Sequence, residues 1–189
     1  MKALDFIHSK GFTHRTIRAS RIFIGDNGEV KLSGLENGTI GASERRIYPE
    51  PYWLSPEIIL EESSSCKMDI WSLGITILEL VFGYPPFYDL SPLRTLFLIP
   101  QKDPPRLIGN SFSDEFKEFL TSCLTKDWKE RPTAKQLLNH PFILNAKVDT
   151  SCIKSLLNFH TEFKRSVMYL ERYDGYYEPD DFDYSDEEN

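Results

Sequence analysis

The sequence predicts a mainly α fold that carries one short β-hairpin, and three observations predict it. The run from Met68 to Gly83, MDIWSLGITILELVFG, is apolar on nearly every side, which is how a helix buried at the centre of a domain reads. Phe112 to Leu124 is amphipathic, with Phe116, Phe119, Leu120 and Cys123 on one face and Ser113 placed to cap its start. Ile22-Phe23-Ile24 and Glu29-Val30-Lys31-Leu32 flank Gly25-Asp26-Asn27-Gly28, a hairpin signal.

The remaining elements follow in order. Met1 to Ser9 carries Leu4, Ile7 and His8 at helical spacing and stops at Lys10-Gly11, a usual helix exit. Residues 33–57 hold Gly, Ser, Thr and Pro without a period and read as irregular. Glu130-Arg131-Pro132-Thr133 leads into a short helix over Ala134 to Asn139, followed by His140-Pro141-Phe142-Ile143. Further on, Ile153, Leu156, Leu157, His160, Phe163, Val167 and Leu170 recur at three- and four-residue intervals, an amphipathic helix capped by Thr150 or Ser151. That stripe either packs on the body or presents its face to a partner, and His160 on it reads as a packed histidine.

The chain of 189 residues, 40% hydrophobic and 27% charged, is long enough for one globular domain with a real core. Its net charge of −7 is a property of one end. Residues 178–189 carry Glu178, Asp180, Asp181, Asp183, Asp186, Glu187 and Glu188 without a Lys or Arg, and those seven acids are the whole excess of 29 acidic over 22 basic residues. A neutral body with an acidic, disordered tail argues against nucleic-acid binding. Cys66, Cys123 and Cys152 are odd in number and have no CxxC spacing, which fits a reducing compartment. The amino terminus lacks the pattern of a signal peptide, and the longest apolar segment, Ile70 to Phe82, is interrupted by Glu79 and falls short of a membrane span. The expectation is a cytoplasmic protein, with the nucleus as the other open compartment, and no membrane contact.

Several motifs stand in a telling order. His14-Arg15-Thr16-Ile17-Arg18-Ala19-Ser20-Arg21 resembles the catalytic loop of a protein kinase, and Lys31-Leu32-Ser33-Gly34 resembles the strand and turn that carry its Asp-Phe-Gly. Tyr52-Trp53-Leu54-Ser55-Pro56-Glu57 resembles the end of the activation segment, and Asp69, Trp71, Ser72 and Gly74 match the Asp-x-Trp-Ser-x-Gly of the central helix. Phe97-Leu98-Ile99-Pro100 and then Pro104-Pro105-Arg106-Leu107 resemble the germinal-centre branch of the sterile-20-like serine/threonine kinases. The resemblance covers roughly residues 1–144 and only the C-terminal lobe of the kinase fold. It implies a kinase-like lobe truncated at its start (1–144); beyond it, periodicity and composition give an amphipathic helix (150–172) and an acidic tail (173–189). It further implies that Asp69 holds the backbone of the catalytic loop and that Glu57 pairs with Arg131.

The same resemblance exposes three substitutions. The loop Asp accepts the substrate's proton in a kinase, while the loop Asn and the Asp of Asp-Phe-Gly hold magnesium. Thr16, Arg21 and Gly34 stand in those places, and none can do that work: a hydroxyl is not basic, a guanidinium is a fixed cation, and glycine offers no ligand. His14, Arg15 and Arg18 are retained, and Glu36 is the one nearby candidate for a substitute ligand. The expectation from sequence is therefore a catalytically inactive, pseudokinase-like protein, not an enzyme, with neither ATP nor magnesium as cofactor, acting as a protein-binding or regulatory module in signalling. The alternatives are an incomplete sterile-20-like serine/threonine kinase and a decayed gene copy. Thr39, Ser43 and Ser185, the last followed by acids, are candidate modification sites.

Overall fold

The structure, a computed structural model, describes residues 1–40, 51–63, 65–109, 111–146 and 151–174, with side chains given as far as 164. They divide into two compact units, one of residues 1–23 and 30–146, the other of 24–29 and 151–174.

The first unit is mainly helical. Helix α1 (Lys2–Ser9) is followed by a two-residue strand, β1 (Phe12–Thr13), and by the loop that enters β2 (Ile22–Ile24). Strand β2 pairs with β3 (Val30–Leu32), and β1 pairs antiparallel with β4 (Thr39–Ile40), Phe12 opposite Ile40 and Thr13 opposite Thr39. After α2 (Pro56–Ile59), helix α3 (Met68–Phe82) runs through the centre. Nine of its residues are buried, from Met68 to Leu78, which accounts for its lack of a polar face. It stops at Gly83, whose φ of +85° is the left-handed exit that glycine makes without strain.

Helices α4 (Pro92–Gln101), α5 (Asp114–Cys123), α6 (Ala134–Leu137) and α7 (Pro141–Leu144) surround α3. Ser113 caps α5 by accepting the Phe116 N–H, and Thr133 with Gln136 forms a full capping box on α6. Three clusters make the core, the smallest of them Leu54, Ile58 and Met68. Leu4, Ile17, Ile70, Phe119, Cys123, Ala134 and Leu137 pack on one side of α3. Trp71, Ile75, Leu78, Ile99, Leu107, Leu120 and Leu124 pack on the other. Gly74 sits where α3 meets α5, and a Cβ there would lie 2.7 Å from Leu124 Cδ2 and 3.0 Å from Cys123 Cβ. Close helix approach requires glycine at that position.

Helix α4 is not evident from sequence, where its Phe97–Pro100 segment reads only as a motif. Strands β1 and β4 are likewise absent from the sequence reading. At the end of the unit that begins with α1, Met1, Leu4, Ile17, Ile22, Leu32 and Leu73 help line an open apolar groove of about 260 Å³.

In the second unit, the turn after β2 closes on itself, with the Gly25 N–H donating to Glu29 O at 2.8 Å and the Gly28 N–H to Gly25 O at 2.8 Å. Helix α8 (Ser151–Asp174) belongs to the same unit. Ile153 and Leu157 are half-buried, while Leu156, Phe159 and Phe163 are exposed. His160 is exposed as well, which corrects the reading of it as a packed histidine: only part of the apolar stripe is covered. Val167 and Leu170 lie on α8 beyond the described side chains, and the acidic segment 178–189 lies outside the described residues. No described helix is long and apolar enough to cross a membrane. The three cysteines carry no disulfide.

Candidate functional site

The site is organised by one buried carboxylate. Asp69, in the first turn of α3, is fully buried, and its oxygens accept the N–H groups of two successive loop residues. The His14 N–H donates to Oδ2 and the Arg15 N–H to Oδ1, each at 2.8 Å. Arg15 adopts φ +73°, a left-handed conformation that costs a non-glycine residue about 1–3 kcal/mol and persists where surroundings over-determine it. The paired hydrogen bonds to a charged acceptor are what over-determine it here.

His8 of α1 completes the grip, its Nε2 lying 2.8 Å from Asp69 Oδ2. Burial alone would push this imidazole down, but the hydrogen bonds to Asp69 and Cys66 and the neighbouring charge raise it to about 9. His8 is therefore a cation at neutral pH and donates to the carboxylate. The Cys66 thiol is in turn lowered, chiefly by its hydrogen bond with His8.

His14 has the opposite character. It is pushed down by burial, and its ring bonds fix a neutral tautomer: Nε2–H donates to Ser33 O at 2.8 Å, and Nδ1 accepts the Thr16 N–H at 3.3 Å. Thr16 is thus oriented by its backbone, with its hydroxyl 3.4 Å from the same Nδ1.

Arg21 and Gly34 face each other across the loop. The Arg21 carbonyl accepts both the Ser33 N–H at 2.9 Å and the Ser33 hydroxyl at 3.2 Å, which ties the loop to the turn. Gly34 has φ +92°, and a Cβ on it would lie 3.1 Å from Arg21 Cδ, 3.3 Å from its Nε and 3.4 Å from His14 Cε1. The arginine side chain therefore crosses the space that an aspartate at position 34 would use. Its Nη1 lies 3.5 Å from Glu36 Oε1.

Magnesium, which the resemblance to protein kinases implies, does not fit these residues. The two positions that should supply oxygen ligands supply a guanidinium and no side chain, and the nearest carboxylate, Glu36, is ion-paired to that guanidinium. Among the described residues no group of three or more His, Cys, Asp or Glu is placed to hold a metal.

Further ties hold the frame. Glu79 Oε2 accepts both the Ala19 N–H and the Trp53 Nε1–H at 2.9 Å, joining the loop, α3 and the segment before α2. The Ser72 hydroxyl donates to Trp53 O at 2.8 Å, and the Arg18 guanidinium lies 5.8 Å from the Trp53 ring centre. Lower in the lobe, Arg131 and Glu57 form a buried bidentate pair at 2.7 and 3.0 Å. Arg131 also donates to the carbonyls of Thr125 and Lys67 and lies 5.2 Å from the ring of Trp71.

The structure thus brings His14, Arg15, Thr16, Arg21 and Gly34 around one loop fixed by Asp69, and places Glu57, Arg131, Trp71 and Gly74 in the frame beneath it. Ser43 and Ser185 lie outside the described residues, and Thr39 is half-buried in β4. Sequence reasoning missed His8 and Glu79 as site residues. Glu79 does leave a trace, because a carboxylate that interrupts an otherwise apolar buried helix needs hydrogen-bond donors.

Comparison with known proteins agrees with this architecture. The family profile described as "Protein kinase domain" matches residues 1–143. The serine/threonine-protein kinase dst1 of Dictyostelium discoideum is 42% identical over 152 residues, covering 78% of this chain and 21% of that protein. From the same organism, serine/threonine-protein kinase dst2 is 36% identical over 176 residues, 89% of this chain and 15% of that protein. Serine/threonine-protein kinase pakB is 43% identical over 151 residues, 77% of this chain and 18% of that protein. The chain spans about a fifth of the length of the curated relatives it matches.

These relatives correct the expectation that the chain is not an enzyme, since proteins this similar are named kinases and the kinase profile matches throughout the lobe. The physical reason lies in the reaction: phosphoryl transfer rests mostly on positioning and electrostatics, so substitutions at three loop positions do not by themselves dictate the absence of turnover. The chain belongs to the protein kinase domain family.

Proposed function

We propose that this chain is the C-terminal-lobe part of a sterile-20-like serine/threonine protein kinase, which transfers phosphate from ATP to serine or threonine residues of proteins. The observation that carries the reading is the grip of Asp69 on the His14 and Arg15 N–H groups, which holds the loop in a strained shape of the kind that clusters at active sites. The sterile-20-like assignment draws on the Phe97–Pro100 and Pro104–Leu107 segments, and the substrate class on the names of the relatives.

On this reading the chain's own residues position. Asp69 and Glu79 hold the loop and His14 fixes the turn through Ser33 O, while the resemblance gives Thr16 the place of the catalytic-loop Asp, toward which the acceptor hydroxyl would come. Thr16 does not take the hydroxyl's proton, so turnover is slow. The test is phosphotransfer from labelled ATP to a protein substrate by the full-length gene product, alongside its Thr16→Asp variant. The expected result is measurable transfer by the natural protein and a rise of about 10²- to 10⁴-fold in the variant, the usual worth of a positioned general base. Transfer indistinguishable from a protein-free control in both would sink the reading.

A further inference from the structure

We propose that Arg21 takes over the place of the divalent metal, so that this lobe holds the polyphosphate of its nucleotide through a fixed guanidinium and without magnesium. The inference rests on the kinase reading above for the identity of the ligand, and on Arg21 and Gly34 for the mechanism.

The two substitutions are complementary. Arg21 brings a side chain that needs room, and Gly34 provides it, since any Cβ at position 34 would come within 3.1–3.3 Å of Arg21 Cδ and Nε. An aspartate at 34 would crowd this arginine course and push it aside by a few tenths of an ångström, whereas glycine leaves it clear. The result is a permanent positive charge in the space between the loop and the turn after β3, in the position where the fold implies a cation.

The arginine is also poised for an outside anion. Its Nε is buried without a hydrogen-bond partner. Its one acidic neighbour within 4 Å among the described residues, Glu36, is at 3.5 Å, longer than the 2.7–2.9 Å of a charge-assisted hydrogen bond. The Glu36 side chain is 67% exposed and that of Arg21 30% exposed, so the pair is screened and open on one side. A phosphate oxygen offers the guanidinium a shorter, bidentate contact and displaces the carboxylate.

The experiment is calorimetric titration of the 189-residue chain with inorganic tripolyphosphate, in EDTA and then in magnesium, with Mn²⁺ uptake followed separately by electron paramagnetic resonance. Expected are binding in EDTA that magnesium makes no tighter, and no stoichiometric Mn²⁺ uptake. Arg21→Gln weakens binding by about ten- to a hundredfold, the worth of a hydrogen bond to a charged group. Glu36→Gln, a change at an exposed side chain that the fold tolerates, tightens it by removing the competitor. Binding only in the presence of magnesium, stoichiometric Mn²⁺ uptake, no binding of tripolyphosphate at all, or an affinity unchanged or weakened in Glu36→Gln would each overturn the assignment. Metal-free binding without phosphotransfer by the full-length protein would instead leave Arg21's role standing and remove the kinase reading.

Discussion

Removing the carboxylate of Glu57 tests the frame most directly. Arg131 is fully buried and Glu57 is 2% exposed, so both charges have left water. Loss of one partner from such a pair costs about 3–5 kcal/mol, because the remaining charge is buried without compensation. Here Arg131 keeps its hydrogen bonds to the carbonyls of Thr125 at 2.8 Å, Lys67 at 3.0 Å and Lys126 at 3.4 Å, which places Glu57→Gln at the lower end, about 3 kcal/mol. Arg131→Ala costs more, since it orphans the carboxylate and those carbonyls together. For a chain of this size a loss of about 3 kcal/mol lowers Tm by about 6–12 °C. Trp53, Trp71 and Trp128 all lie in the first unit, so urea unfolding followed by tryptophan fluorescence reads that unit. A loss under about 1 kcal/mol in Glu57→Gln, or a smaller effect for Arg131→Ala than for Glu57→Gln, would refute the reasoning.

Two other predictions concern the same frame. The folded pKa of His8, about 9, stands above its unfolded value of 6.5, so its contribution is fully present below pH 6.5 and disappears as pH rises through about 9. At about 1.4 kcal/mol per factor of ten, the loss is up to about 3 kcal/mol, offset in part by the lowered Cys66 thiol, whose contribution runs the other way. Urea midpoints measured from pH 6 to 10 should fall in the natural chain and lie flatter in His8→Asn; parallel profiles would exclude this role for His8. Gly74→Ala places its methyl 2.7 Å from Leu124 Cδ2 and should cost about 1–3 kcal/mol by overpacking, measured on the same urea curves, with a neutral result showing that α5 gives way freely.

How much of this was legible in the sequence depended on whether the cause was local. The apolar run of α3 and the Ser113 cap of α5 are written in adjacent residues, and the helices follow. Helix α4 escaped because its pattern is blurred: Leu93 and Phe97 are exposed, only Thr95 and Ile99 are buried, and Pro100 lies inside its last turn. Strands β1 and β4 are two residues each and are too short to show a period of two. His8 reads in sequence as one more residue on a helix face; its bond to Asp69, 61 positions away, exists only once α1 has packed beside α3. The substitutions Thr16, Arg21 and Gly34 are legible one by one, but the fit of Arg21 against Gly34 is not, because it depends on the course of a side chain through space.

That fit bears on what changing either residue alone does. Gly34→Asp alone sets a Cβ against the Arg21 side chain and the His14 ring, and places a non-glycine residue at φ +92°, where its backbone is strained. Arg21→Asn alone removes the cation but leaves Gly34 with nothing to offer a metal, so neither single reversal restores a ligand pair. The frame does not depend on the Arg21 side chain: Asp69 holds the His14 and Arg15 backbone, Glu79 holds Ala19 and Trp53, and Ser33 binds the carbonyl of residue 21 whatever its side chain. Stability and reacting chemistry are thus assigned to different atoms of the same loop. The loop's shape is retained by backbone hydrogen bonds, while the charge it displays is set by the Arg21 side chain in the room that Gly34 leaves it.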